Sequence, residues 1–291
     1  MKFLIIGDLH GHKPNIYFKE FDAIIAPGDF CSDAPRAWMF KALKDQLASA
    51  KSKTTWYGLV GRKKAKRMVQ KSLADGRAIL EYLNSFGKPV YAVPGNWDWT
   101  GKESDWTFIK KNYWPRLIRD LNNVVDLHHK TAISNGITLL GHGIISGPEY
   151  PQDPAEKKRL TDSGELDSVK KSYIRQKSIV TRLFYDAKSP VIFIPHNVPY
   201  NTPLDQINNP ASPRNGQHFG SVIAREMIYR FSPLVCIGGH MHEHFTHCKL
   251  GKTLCINAGF GPHVNVLLEI EGDTVKKVEF SKAGKIVETI S

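Results

Sequence analysis

Cysteine is scarce in this chain: four residues in 291, Cys31, Cys236, Cys248 and Cys255, with no Cys-x-x-Cys pair among them. That argues against a disulfide framework and a cysteine zinc site, and because the four sit mostly inside apolar runs they read as reduced, buried thiols without a chemical role. Long hydrophobic runs are lacking too. The opening run, Phe3 to Ile6, ends where Gly7 and Asp8 interrupt it; it is too short for a signal-peptide core or a membrane span, so a cytoplasmic protein without a membrane span is expected. No repeat, low-complexity tract or linker divides the chain. The expectation is one domain over 1–291, within the size range of α/β enzymes with two sheets or a barrel.

Acidic residues are the third shortage. Twenty-eight Asp and Glu stand against 40 Lys and Arg, a formal charge of +12, which concentrates anionic partners by long-range attraction. Much of the excess is local: Lys51, Lys53, Arg62, Lys63, Lys64, Lys66, Arg67 and Lys71 occur with no acidic residue between Asp45 and Asp75. The run reads either as a solvated helical face or as a nucleic-acid patch. Trp56 and Tyr57 lie beside it as candidates for stacking on bases.

What the chain does have is ordinary globular composition, with 41% hydrophobic and 10% aromatic residues, which sets disorder aside. Short apolar runs read as buried strands: Phe3 to Ile6, Ala23 to Ala26, Val90 to Val93, Ile137 to Leu140, Val191 to Ile194 and Val235 to Ile237. Between them, helical spacing covers Arg36 to Ala48, Leu73 to Phe86, Glu103 to Leu121, Val169 to Tyr185 and Gly220 to Phe231. Strands alternating with helices imply an α/β fold. Asn135-Gly136 and Glu271-Gly272-Asp273 add hairpin signals, so some antiparallel pairing is expected. Charged stretches near 49–72 and 149–188 read as helical insertions.

The informative pattern is where polar residues fall relative to the strands. Asp8 and His10 follow the first run within GDLHG, Asp29 follows the second within GD, and Asn96 and Asp98 follow the third within GNWD. His196 follows Val191 to Pro195, and His240 and His242 lie in GHMH after Leu234 to Gly238. Ligands of open α/β sheets gather at the carboxyl ends of strands. Alternating positions in an extended loop point the same way, so Asp8 with His10, and His240 with His242, can each grip a cation. Glycines before Asp8, Asp29, Asn96 and His240 are expected to permit the tight turns that aim these side chains inward. Asp29, a carboxylate with two oxygens, is the natural bridge between two ions.

These motifs, D-x-H, G-D, G-N-x-D, H and G-H-x-H, resemble those of the calcineurin-like metallophosphoesterase superfamily. The block HNVPYNTPLDQINNPASPRNGQHFGSVIAREMIYRFSPLVCIGGHMHE, residues 196–243, is most similar to the Icc-related predicted phosphoesterases of archaea and bacteria. The resemblance implies an αββα sandwich of two mixed sheets flanked by helices. It implies one metal held by Asp8, His10, Asp29 and His242, and a second held by Asp29, Asn96, His196 and His240. The donor set favours manganese, iron, zinc, nickel or cobalt over magnesium alone, with manganese first. The implied reaction is phosphoester hydrolysis by in-line attack of a metal-bridging hydroxide, with Asn96 also able to donate its amide to a phosphate oxygen.

The chain departs from the commonest family pattern at Trp97, where many members carry a histidine. Trp97 cannot act as an acid; it reads either as a wall of the substrate pocket or as packing of its loop. Asp98, deprived of that partner, is expected to orient a metal-ligating imidazole. His218, expected to open a helix near Gln217, is a candidate for part of the lost role, and that helix start a candidate anion site with Ser221. His12 reads as a loop residue, and His128, His129, His142, His244, His247 and His263 as structural or exposed. Family analogy tilts the substrate toward phosphodiesters; a nuclease using the basic segment and a binding scaffold without catalysis are the alternatives.

Overall fold

The computed structural model describes residues 1–49, 52–101, 108–210, 212 and 214–291. Its first sheet has seven strands. β1 (Lys2–Ile5), β2 (Ala23–Ala26), β3 (Val90–Ala92) and β4 (Val124–Asp126) run parallel. β11 (Val264–Glu271), β12 (Thr274–Lys282) and β13 (Lys285–Ile290) extend the β1 side antiparallel. The second sheet has six: β6 (Ile137–His142), β7 (Val191–Pro195), β8 (Val235–Gly238) and β10 (Thr253–Asn257) are parallel, with β5 (Thr131–Ser134) and β9 (His247–Leu250) as antiparallel edges.

Strand periodicity distributes side chains between three cores. Phe3, Ile5, Ala23, Ile25, Tyr91 and Val93 of the first sheet meet Leu139, Ile192, Ile194, Val235, Ile237 and Ile256 of the second. The alternate residues Leu4, Ile24, Ala26, Val90 and Ala92 turn outward to one helical layer. Leu140, Phe193, Cys236 and Cys255 turn outward to the other. Helices cover both outer faces, so the fold is the αββα sandwich.

Helices α1 (Arg36–Ala48), α2 (Trp56–Val60), α3 (Arg62–Asn84) and α4 (Trp114–Ile118) belong to the first layer. In α3, Ala65, Val69, Ser72, Gly76, Ile79 and Leu83 are buried at helical spacing, while Arg62, Lys63, Lys64, Lys66, Arg67 and Lys71 are exposed. Within α3 the basic run is thus an exposed helix face, open to solvent and to an anionic partner alike; Lys53 precedes α2, and Lys51 lies outside the described residues. Trp56 is buried among Tyr57, Trp99 and Phe108 and cannot stack on a base. The expected helix over Glu103 to Leu121 is reduced to α4, its part over 103–107 lying outside the described residues. Pro115 lies in the first turn of α4, the one place in a helix that tolerates it, so a helix cannot run through it from upstream.

The second layer holds α6 (Leu166–Asp186) and α7 (Val222–Phe231), preceded by α5 (Pro154–Asp162). Asp153 caps α5 by accepting from Glu156 N at 2.9 Å, ahead of Pro154, and Ser221 caps α7 by accepting from Ala224 N. The hairpin at Asn135-Gly136 has positive φ at both residues, as a type I′ turn requires. Among the described residues no helix is long and apolar enough to cross a membrane.

Candidate metal centre

The carboxyl ends of β1, β2 and β3 in one sheet, and of β7 and β8 in the other, converge on one buried cluster. Asp8, His10, Asp29 and His242 bring one potential ligand atom each to within 4.8 Å of one another, and Asp29, His196 and His240 do the same. Asp29 is common to both groups. Its Oδ2 is 3.5 Å from His10 Nε2 and 3.5 Å from His196 Nε2. His10 Nε2 and His242 Nε2 approach to 3.1 Å. Asn96 Oδ1 is 2.9 Å from both His196 Nε2 and His240 Nδ1. All seven residues singled out in the sequence are therefore brought together.

The turns are built differently from the expectation. Asp8, His10, Asp29 and His240 themselves take left-handed backbone, with φ of 47°, 44°, 60° and 67°, a strain that folded proteins keep mainly at functional sites. Most of the neighbouring glycines serve close approach: a Cβ on Gly95 would strike the Asp29 carboxylate, and one on Gly239 the carboxylate of Asp8. Of the four glycines that precede ligands, Gly28, at φ 119°, is the one that needs glycine's conformational freedom, and a side chain there would also meet His196 and the Gly95 backbone.

Asp98 has another task than orienting an imidazole. Its Oδ1 accepts from Phe30 N and Cys31 N at 2.9 Å, and its Oδ2 from Asp29 N at 3.0 Å and Gly95 N at 2.7 Å. Burial, then the neighbouring Asp29, pushes its pKa up to about 6. It therefore pins the β2 loop to the β3 loop, and α3 supports the same loop from beneath: Ser72 Oγ donates to Ser32 O, and Trp99 Nε1 to Ser72 Oγ.

His218 belongs to neither ligand group. The helix begins at Val222, four residues after His218, whose Nδ1 pairs with Asp205 Oδ1 at 2.7 Å. The α7 amides expected to face an anion are already taken: Glu149 Oε2 accepts from Val222 N at 2.8 Å and Ile223 N at 3.3 Å. Trp97 packs in the first core at 9% exposure and donates its N–H to Asp29 Oδ1. His244 bonds Gln206 O, His263 faces Asn15, and His247 faces Glu288.

The cluster fits divalent cations. Asp8 Oδ1, Asp29 Oδ2 and His10 Nδ1 are buried without a hydrogen-bond partner, a costly state for carboxylate oxygens unless a cation meets them. Burial raises the Asp8 carboxyl well above its usual range and lowers His10 and His242. Burial and then His196 bring His240 down to about 3. Burial opposes ionisation at Asp29 and His196 too, yet each charges the other: Asp29 stays below the usual carboxylate range and His196 is held up to about 9. His196 Nδ1 donates to Pro27 O at 2.8 Å, which turns Nε2 toward the cluster. The imidazoles of His10, His240 and His242, held neutral, and the carboxylate oxygens of Asp8 and Asp29 that accept no hydrogen bond are donors suited to borderline transition metals.

Two features carried no sequence signal that the motifs supplied. Phe260, 40% exposed, lies stacked on His242 with ring centroids 4.1 Å apart; its only mark was an aromatic between two glycines. A cleft of about 1180 Å³, lined by Ser146, Glu149, Arg175, Tyr200, Arg214 and His218 among others, adjoins the cluster where the Ser146 backbone hydrogen-bonds the His240 ring.

Comparison with known proteins bears on the fold and the family. The solved structure of TT1561 of Thermus thermophilus is similar at TM-score 0.52 and 15% identity, over 97% of this chain and 98% of that one. Phosphopantetheinyl hydrolase from Mycobacterium tuberculosis is similar at 0.52 and 14%, over 89% of each chain. A dimetal phosphatase from Danio rerio is similar at 0.51 and 12%, over 99% and 97%. At these identities the structures establish shared fold. No curated protein sequence matches. The calcineurin-like phosphoesterase model matches residues 1–244, a span that contains every residue of the cluster, and the chain therefore belongs to that family.

Proposed function

We propose that the chain is a dinuclear metal-dependent phosphodiesterase. Asp8, His10, Asp29 and His242 would hold one divalent cation, manganese first among the candidates, and Asp29, Asn96, His196 and His240 the second. The observation that carries this reading is the buried Asp29 Oδ2, which accepts no hydrogen bond and lies 3.5 Å from an imidazole of each group. When bound, the two cations supply Lewis-acid activation of the phosphoester and of the attacking water.

The chain's own residues do the rest. Asp98 fixes the loops that carry Asp29 and Asn96, and Pro27 O fixes the tautomer of His196. The Asn96 amide nitrogen is the group that would donate to a phosphate oxygen. Trp97 holds no exchangeable acid, so esters whose leaving groups depart without strong protonation are the best substrates. The cleft beside His240 supports a diester, because it offers room for the second substituent that a monoester lacks. The four free thiols, three of them buried, support a cytoplasmic enzyme.

With manganese, bis-p-nitrophenyl phosphate is expected to be hydrolysed faster than p-nitrophenyl phosphate; clear preference for the monoester reverses the diester reading. The exposed cations of α3 favour a second reading, a nucleic-acid substrate. Its mark is a steep fall in oligonucleotide binding with salt, and flat dependence counts against it.

A further inference from the structure

We infer that Phe260 is a platform for a planar aromatic ring carried by the substrate, an inference that rests on the dinuclear phosphoesterase reading. Phe260 lies in the loop joining β10 to β11, at the edge of the first ligand group. Its ring stacks on His242 at an interplanar angle of 21° and centroid distance of 4.1 Å, and it stands 5.6 Å from His10. One face is therefore covered by a member of the cluster, and the residue nonetheless stays 40% exposed. An apolar ring left in water beside a buried polar centre forgoes burial energy that a flat apolar partner would recover.

The loop holds that ring in place. Gly261 N donates to Asp8 O at 3.1 Å and Gly259 N to Asn257 Oδ1 at 2.9 Å, while Asn257 Nδ2 donates to Met241 O at 2.9 Å. The loop that carries the ring is thus tied to the backbones of both the β1 and β8 loops, and a fixed loop lowers the entropic cost of stacking. Trp97, the aromatic residue that the sequence suggested for such a wall, is spent on the core; its 9% exposure against 40% for Phe260 decides between them. A phosphoester seated at the first ligand group would carry its substituent past Phe260. Two kinds of substituent share the required chemistry: an aryl group on the ester oxygen itself, and a nucleobase one sugar away.

Isothermal titration of the manganese-loaded protein separates them. Phenyl phosphate is compared with methyl phosphate, and AMP with ribose 5-phosphate, on the wild type, Phe260→Ala and Phe260→Tyr. In at least one pair the ring-bearing probe is expected to bind about fivefold tighter or more, the size of one aromatic stack. That ratio falls to near one in Phe260→Ala and is kept in Phe260→Tyr. Because each ratio is taken within one variant, a general loss of protein quality cannot imitate the result. A ratio near one in both pairs of the wild type, or a preference that survives Phe260→Ala, overturns the platform while leaving the metal centre standing. Protein that takes up manganese yet binds none of the four probes overturns the platform; the phosphoesterase reading falls with it only if bis-p-nitrophenyl phosphate is also left intact.

Discussion

Asp29 and Glu149 are both buried carboxylates beside histidines, and they end in opposite states. Glu149 faces His142, which in turn meets His129 at 3.1 Å, but its oxygens are used: they accept from Ser221 Oγ and from the first amides of α7. Asp29 accepts from Trp97 N at Oδ1, while its Oδ2 accepts no hydrogen bond and stands 3.5 Å from His10 Nε2 and His196 Nε2. Histidine and carboxylate in proximity is therefore a weak sign of a metal. The discriminating sign is whether the fold satisfies the carboxylate from its own donors. Where it does, the charge caps a helix and stabilises the structure; where it does not, the carboxylate calls for a cation from outside the chain.

The largest test of this contrast is Asp29→Asn. It removes the carboxylate that both ligand groups share, so manganese content measured by elemental analysis is expected to fall below half that of the wild type. Turnover of bis-p-nitrophenyl phosphate is expected to fall roughly a thousandfold or more, beyond rescue by added metal. A variant that keeps its metal would remove Asp29 from the bridging position.

Asp98→Asn sharpens the comparison, since it leaves every proposed ligand in place. An amide nitrogen would face backbone N–H groups that now meet a carboxylate, and the Asp29 loop would loosen. Apparent manganese affinity should drop on the order of 10- to 100-fold. Excess manganese restores most of the turnover, which separates a positioning residue from a ligand in a simple metal titration.

The smallest effect is expected at the other carboxylate. Glu149→Gln weakens a charged cap worth about 1–2 kcal/mol, read as a melting point lower by a few degrees, with manganese content unchanged. Loss of metal in this variant would show that the two regions are not independent.

How much of this was legible in the sequence follows from what each signal depends on. The seven clustered residues were readable because a buried strand ends abruptly and its next polar residues must lie at the sheet's edge. Asn135-Gly136 announced its hairpin because few residues tolerate its backbone. The strands β9, β12 and β13 were not separated from the rest: Lys249, Lys276, Lys277, Lys285 and Glu288 interrupt their apolar alternation, since one or both faces meet water. The helix read over Glu103 to Leu121 followed spacing and neglected Pro115. Asp98 was found, but its partners are backbone amides, which every residue but proline has and which no side-chain pattern can reveal. Glu149 and Phe260 gain their roles from contacts with residues more than 70 and about 18 positions away, fixed only when the chain is folded.

The division of the centre between the two sheets also sets a timetable for its making. During synthesis, Asp8, His10, Asp29 and Asn96 emerge together with the first parallel strands, but either ligand group also needs histidines that follow β7 or β8. Neither can be complete until His240 has left the ribosome and the second sheet has docked. A nascent chain stalled earlier would display a half-built cradle of acids without most of its imidazoles, so capture of the metals is a late event that reports the closing of the sandwich.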